Sequence, residues 1–425
     1  MKKNSRLNNS NLKNLAILAI KKKLIGKTLS YKEIYAIMDQ IGNERLGPVI
    51  TTYFAAAGFR DGFSSEELFY LTKAMVETGP RIKFKGLIAG KHSIGGVAGY
   101  RTTMVVVPII AACGFRIPKN STRAITSPAG TADAMEVLAP VTFSDDQIKK
   151  LVMNAGGCIV WGGCLGLAPA DDVIIQIEQP LAFESFDKII VSIMAKQIAS
   201  GVNHLVIDIP YGQTMKVNHQ KDAETIARKF TYLASKFKIK LHAYVNCVKH
   251  NTGYGVGPLL EARDVLSVLE QKDRRSKVLE EKALNLAGNL LNICYKTKGV
   301  KEKDGFKEAS LALKNGRALL AMRDIIKAQG GDSTITSTHL IPGEQIHEYK
   351  VRRKGVITSV NNQQIASVCR VLGCPIDKKS GMYLNFKTGD TVDKNDILCT
   401  LYSNDKWKLK ESVETLNNLP IFIIE

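Results

Sequence analysis

Two stretches decide how this chain is read. They are Lys91-His92-Ser93-Ile94-Gly95-Gly96-Val97 and Ser121-Thr122-Arg123-Ala124-Ile125-Thr126-Ser127-Pro128-Ala129-Gly130-Thr131-Ala132-Asp133. The first follows Leu87–Ala89, predicted as a short strand, and lies in a glycine-containing loop over 90–99. Glycines after a strand let backbone N–H groups approach an anion closely, and a helix start beyond them adds a favourable dipole. Lys91 supplies a charge and Ser93 a hydroxyl. No Lys-Ser/Thr pair follows the last glycine, so this is not a Walker A loop, and the dinucleotide fingerprint is absent too. The second stretch follows another extended piece, Arg116–Pro118, and sets five hydroxyls and one arginine around a helix start. Such hydroxyls can cap their own backbone. Two such loops, each after an extended piece, point to a phosphate cradle.

Upstream, the sequence reads as helices. Asn11–Ile25 is amphipathic and stops at Gly26. Ser30 with Glu33, and Ser64 with Glu67, are spaced as capping boxes. Ile34, Ile37, Met38 and Ile41 then line one helical face. Downstream of the first loop, Thr102–Ala112 is an apolar helix containing Pro108, and Ser144 with Gln147 caps another. Cys158–Trp161, His204–Ile209 and Leu241–Val245 are predicted strands, alternating with helices at Phe186–Ser200, Ala223–Phe237 and Pro258–Leu269. That alternation predicts a largely parallel or mixed sheet. Helices fill most of 276–328, and beyond about 335 short apolar runs punctuated by glycine predict a small β-rich piece.

Composition narrows the class. The 425 residues are 45% hydrophobic and 23% charged, an ordinary globular balance. The longest apolar runs, Met104–Phe115 and Ala155–Ala170, fall short of a membrane span. The lysine- and asparagine-rich start shows no secretory cleavage site, so the expected location is the cytoplasm. Eight cysteines without any CxxC read as reduced thiols, mostly in the core. The net charge of +19 suits an anionic ligand. Residues 1–27 hold eight Lys/Arg and no acid, which reads as a solvated tail, and no nucleic-acid-binding motif accompanies it.

Two further places carry chemistry. Ser192 and Lys196 stand four residues apart on one predicted helix, with Glu184 just upstream, a donor, a cation and an acid for one ligand. Local sequence alone also permits an ordinary polar helix face. Lys216 lies beyond the strand carrying Asp208, at the carboxyl edge where open α/β sheets bind ligands.

Taken together, Lys91–Val97 and Ser121–Asp133 resemble the thymidine/pyrimidine nucleoside phosphorylase family. The run Ser127–Asp133 followed by Val137-Leu138-Ala139-Pro140 is closest to the branch holding AMP phosphorylases and bacterial thymidine phosphorylases. Leu167–Asp171, Ser192–Lys196 and Gly257–Val265 match in order, so the resemblance spans roughly 10–425. It implies an α/β fold of three parts. A helical domain (1–80, with 168–200) precedes a phosphate-binding α/β domain with a mixed sheet (81–167 and 201–332), like that of phosphoribosyltransferases. A small C-terminal α+β domain (333–425) follows. In the family, ligands sit in the cleft between the first two.

Carried over by position, Lys91, Ser93, Thr103, Ser121 and Thr131 resemble the phosphate contacts. His92, Ser192 and Lys196 resemble the base contacts of the pyrimidine enzymes. Gly96, Thr122, Arg123, Ala124, Ile125, Thr126, Ser127, Thr131, Ser192 and Lys216 fall where the AMP-type branch binds its nucleotide. Glu184 falls on that branch's proton donor, an aspartate in the archaeal enzymes, and His92 is the second candidate for the acid. Three departures stand out. No arginine stands near Gln176-Ile177-Glu178, where pyrimidine enzymes carry one. Glutamate replaces the donor aspartate, and no counterpart of the archaeal enzymes' extra N-terminal domain is expected before the helical segment that begins near residue 11.

The implied reaction is phosphorolysis to a free base and a sugar 1-phosphate. Thymidine is the leading substrate, giving thymine and 2-deoxyribose 1-phosphate. The alternative is AMP or another nucleoside monophosphate, giving ribose 1,5-bisphosphate. Phosphate is a co-substrate, and neither cofactor nor metal is expected. The expected assembly is a homodimer, with apolar faces at Leu12–Ile20 and Ile34–Ile41 as candidates for contact or core. A membrane is not an expected partner and nucleic acid is disfavoured. The reading from another class is an inactive relative that binds nucleic acid through its basic tail. A phosphoribosyltransferase would need a metal-binding acidic pair that the sequence does not place.

Overall fold

The computed structural model describes residues 9–124, 127–178, 185–249 and 251–425, the side chain of residue 61 excepted. It opens with four helices, α1 (Asn9–Leu24), α2 (Tyr31–Gly42), α3 (Gly47–Asp61) and α4 (Ser65–Thr78). Both predicted capping boxes form. The Ser64 hydroxyl accepts from Glu67 N at 3.2 Å while Glu67 Oε2 accepts from Ser64 N at 2.9 Å. Glu67 is buried because it also receives Lys23 Nζ and Leu29 N, each at 3.0 Å. Lys22 pairs with Glu33 at 3.0 Å. Two lysines of the basic N-terminal stretch are therefore built into the helical packing and do not belong to a solvated tail. Ile34, Ile37, Met38 and Ile41 are all buried, so that face of α2 is core. Burying each contributes roughly 1.5–3 kcal/mol.

The chain continues through β1 (Ala89–Ser93), α5 (Thr102–Ala112), β2 (Ile117–Ser121), α6 (Thr131–Met135), α7 (Asp145–Ala155) and β3 (Gly157–Trp161). Then come α8 (Pro169–Glu178), α9 (Phe186–Ala199), β4 (His204–Tyr211), α10 (Gln220–Lys236), β5 (Lys240–Cys247) and β6 (Gly255–Val256). A run of helices follows, α11 (Pro258–Leu269), α12 (Lys277–Lys298), α13 (Gly305–Lys314) and α14 (Arg317–Ala328). The last part holds β7 (Gln345–Lys350), β8 (Gly355–Val360), α15 (Asn362–Leu372), β9 (Gly381–Leu384), β10 (Thr391–Val392), β11 (Ile397–Ser403), α16 (Lys406–Asn418) and β12 (Phe422–Ile424).

Contacts divide the chain into two units. One runs to Lys85 and takes in Gly162–Asn203 and Arg228–Lys240, and the other comprises Gly86–Trp161, His204–Ala227 and Leu241–Glu425. In the second unit β1 pairs in parallel with β4, Lys91 opposite Val206 and Ser93 opposite Asp208. β2 pairs in parallel with β3, ending with Ser121 opposite Trp161. A parallel bridge between Ile88 and Arg116, and Ala89 N donating to Arg116 O at 2.8 Å, set β2 beside β1. β5 lies along β4. Ser93, Asp208, Ser121 and Trp161 thus lie level with one another toward the carboxyl ends of parallel strands. Buried α5 residues, Met104 to Val107 with Ile109 and Ile110, pack with Leu286, Leu290 and Leu291 of α12 and Val265 of α11.

The strands reach further than the sequence pattern predicts. Lys91, His92 and Ser93 lie on β1 and not in a loop, and Ser121 closes β2. Pairing with the fully buried β4 and with β3 extends both strands past their apolar residues, a tertiary effect stronger than local propensity. Beyond 335 the strands are antiparallel, in sheets β9-β11-β7, which β6 joins from upstream, and β10-β8-β12. Five cysteines are buried, while Cys164 and Cys247 are exposed.

Candidate active site

Lys91 is the buried centre of the second unit's strand edge, only 1% exposed. Its Nζ donates to Thr102 Oγ1 and Thr103 Oγ1, each at 3.0 Å. Both hydroxyls come from the first turn of α5. Burial is the first cause that pulls its ammonium down to about 8, with Lys282 and Arg101 adding to it and Asp208 opposing. An arriving negative charge would restore to such a lysine what burial removes. Ser121 sits at the end of the neighbouring β2, and its buried hydroxyl lacks a hydrogen-bond partner among the described residues.

The second loop is held from both sides. Gly130 N and Ala124 N donate to Asp133 Oδ2 at 2.8 and 2.7 Å, a capping box closing the turn onto α6. Gly130 is required by contact, since a Cβ there would stand 2.3 Å from Thr122 O and 2.8 Å from Ala124 N. Thr131 Oγ1 accepts from Arg101 Nη1 at 3.1 Å, and the same guanidinium reaches Ala129 O and pairs with buried Glu261. Arg123 forks onto Glu136 with two bonds of 2.6 Å, stacks 4.9 Å from Trp161 and reaches Asp133 at 3.2 Å. That fork holds the Glu136 carboxyl down at about 2. Ser127 Oγ donates to Ala129 O at 2.7 Å, a local bond of the loop.

Gly96 has φ +84°, a left-handed conformation that favours glycine, and any Cβ on it would meet Lys216 Cβ at 2.8 Å. The two positions expected to bind nucleotide are therefore in contact. Asn362, at the start of α15, clasps this loop, donating from Nδ2 to Gly96 O at 2.6 Å and accepting from Ala98 N at 2.7 Å. His92 Nδ1 lies 3.4 Å from Lys119 Nζ. With Lys119 charged, Nδ1 is the acceptor, which leaves the proton of a neutral ring on Nε2.

Ser192 and Lys196 belong to the other unit, on α9. Both turn to the start of α8, Ser192 Oγ donating to Asp171 Oδ2 at 2.7 Å. Lys196 Nζ lies 2.6 Å from Asp171 and 3.3 Å from Asp172. Burial works against its charge, but the two carboxylates outweigh it and raise the lysine. Glu184, Ile125 and Thr126 lie outside the described residues. Among the described residues no group of three or more His, Cys, Asp or Glu could hold a metal ion, and no helix is long and apolar enough to cross a membrane.

Comparison with known proteins matches three family models along the chain. Residues 18–79 match the glycosyl transferase family helical bundle domain, 85–319 its a/b domain, and 356–420 the pyrimidine nucleoside phosphorylase C-terminal domain. The chain belongs to the pyrimidine nucleoside phosphorylase family. It is a pentosyltransferase enzyme by that membership. It is 41% identical over 396 residues to an AMP phosphorylase of Thermofilum pendens, covering 93% of this chain and 76% of that protein. AMP phosphorylase 1 of Archaeoglobus fulgidus is 38% identical, covering 94% and 78%. A protein of Methylococcus capsulatus named "putative thymidine phosphorylase" is also 38% identical, covering 92% and 74%. Anthranilate phosphoribosyltransferase of Thermus thermophilus superposes with a TM-score of 0.58 at 16% identity, over 73% of this chain and 99% of that one, a likeness of fold.

For this phosphorylase, sequence reading placed the two loops but missed Arg101, Thr102, Lys119 and Lys282. Arg101 and Thr102 stand directly before Thr103. Lys119 is a lysine inside the short β2. Lys282 sits three residues after Leu279 and one before Ala283, both buried, so a lysine on the apolar face of α12 was the available signal.

Proposed function

We propose that this chain phosphorolyses a nucleoside 5′-monophosphate, with AMP and phosphate giving adenine and ribose 1,5-bisphosphate. Thymidine was the leading reading from sequence, and the relatives favour the nucleotide. The observation that carries the proposal is the likeness to AMP phosphorylases over more than nine-tenths of the chain. The missing arginine near Gln176 agrees, since no guanidinium stands there for a pyrimidine carbonyl.

The chemistry follows from charge. Cleaving the C–N bond builds positive charge on the sugar and negative charge on the leaving base. A phosphate held by Lys91, Ser93, Thr103, Ser121 and Thr131 puts a nucleophilic oxygen and compensating negative charge beside the anomeric carbon. Gly96, the 122–127 loop and Lys216 would take the 5′-phosphate end, with Ser192 and Lys196 toward the base. Glu184 would donate a proton to the departing base, with His92 Nε2 as second donor. No cofactor or metal enters this scheme. The reading includes a cytoplasmic homodimer.

The test is the purified chain with phosphate and a panel of AMP, CMP, UMP, uridine and thymidine, scored for free base. Adenine from AMP is expected. Thymine from thymidine with AMP inert would return the reading to a thymidine phosphorylase. Glu184→Gln should slow turnover by about 10²–10⁴, more for poorer leaving bases. An unchanged rate would move the acid to His92.

A further inference from the structure

The strand edge holds more buried charge than the two loops account for. Asp208, on β4 opposite Ser93, is fully buried. Its Oδ1 accepts from Asn246 at 2.9 Å and lies 3.2 Å from the Nζ of Lys282 on α12. The buried Tyr100 hydroxyl faces this carboxylate, and burial together with that charge pushes the phenol well above its ordinary value. The Tyr100 ring lies near both lysines, 5.8 Å from Lys91 Nζ and 5.9 Å from Lys282 Nζ, and Lys282 also stands 4.3 Å over Tyr244. Arg101, the next cation, is matched by Glu261. One buried carboxylate therefore meets Lys282 directly and acts on Lys91 at longer range.

We propose that Asp208 and Lys282 are positioning residues for phosphate, which share one buried carboxylate between two lysines so that Lys91 stays charged and the cluster keeps one uncompensated positive charge for the incoming anion. This rests on the phosphate reading of Lys91 and deepens it. Asp208 acts on Lys91 as an opposite charge and Lys282 as a like one, and both effects are felt at Lys91 along with burial. Burial lowers Lys282 itself, with Asp208 opposing. The two residues should thus move Lys91 in opposite directions when neutralised.

The experiment titrates the full chain with inorganic phosphate by calorimetry, at a series of pH values on either side of about 8. Affinity in the wild type should fall as pH rises through that region. Asp208→Asn should move the fall to lower pH by about one unit, so that binding above about pH 8 weakens by up to about tenfold. Lys282→Met should move the fall to higher pH. A purely structural role would weaken binding in both variants without displacing the profile in opposite directions. Profiles that coincide with the wild type, or shift the same way, overturn the proposal while phosphate binding itself stands. A wild type that binds no phosphate at any pH overturns both readings. If Asp208→Asn does not fold, the direction of the Lys282→Met shift alone decides.

Discussion

Lys91 shows what an anion site costs the fold. A lysine held at about 8 when its ordinary value is 10.5 is disfavoured by about 3 kcal/mol in its charged form, at roughly 1.4 kcal/mol per pKa unit. The unfolded chain binds this proton more tightly than the folded one. The penalty is therefore present in full below about 8 and fades as pH rises toward 10.5. Lys91→Met should abolish phosphate-dependent base release. Methionine leaves the Thr102 and Thr103 hydroxyls without their donor, which offsets part of the relief. The informative measurement is the melting-temperature difference between variant and wild type in phosphate-free buffer. It should shift in favour of the wild type as pH climbs from 8 to 10.5. A flat difference would show that Lys91 is not held below its ordinary value. Lys91 itself was legible in the sequence because glycines flag its neighbourhood. Arg101 and Lys282 were not, since their partners Glu261 and Asp208 lie far away along the chain and nothing local announces them.

At the level of elements, local signals were read well and non-local ones were not. The Ser30, Ser64 and Ser144 capping boxes form as predicted, because each is closed within four residues. The ends of β1 and β2 were misjudged because only their partners, β4 and β3, carry the strands on to Ser93 and Ser121. The turn into α6 offers a test at this scale. In Gly130→Ala the new methyl meets backbone on both sides, so the loop must give way. The KM for phosphate should rise about tenfold, or roughly 1.4 kcal/mol, with helix content retained by circular dichroism. An unaltered KM would detach this loop from the phosphate. In the helical unit, Lys196→Met leaves Asp171 and Asp172 without their cation. It should cost roughly 3 kcal/mol in denaturant unfolding, as expected when one partner of a buried pair is removed.

For the whole molecule, the two loops were enough to identify the family, since their residue types and order agree along the entire chain. The choice of substrate was not in the loops, and it came from the relatives. Assembly belongs to this scale too. With Ile34–Ile41 spent on the core, the exposed large apolar side chains left on α1 and α3 among the described residues are Leu18, Val49, Tyr53 and Phe59. On the proposed homodimer, replacing Leu18 and Tyr53 by aspartate should leave a monomer in sedimentation. A variant that sediments like the wild type would put the dimer contact elsewhere.

The Asn362 clasp has a consequence of its own. A single amide from a segment more than 260 positions downstream grips the glycine turn that follows Lys91. A chain truncated after Gly331 would keep every residue assigned here to phosphate and still lose the hand that steadies them. On the proposed reading the last quarter of the polypeptide is a working part of the anion seat, and shortened versions of this enzyme should be judged by how loosely they hold phosphate before they are judged by whether they fold.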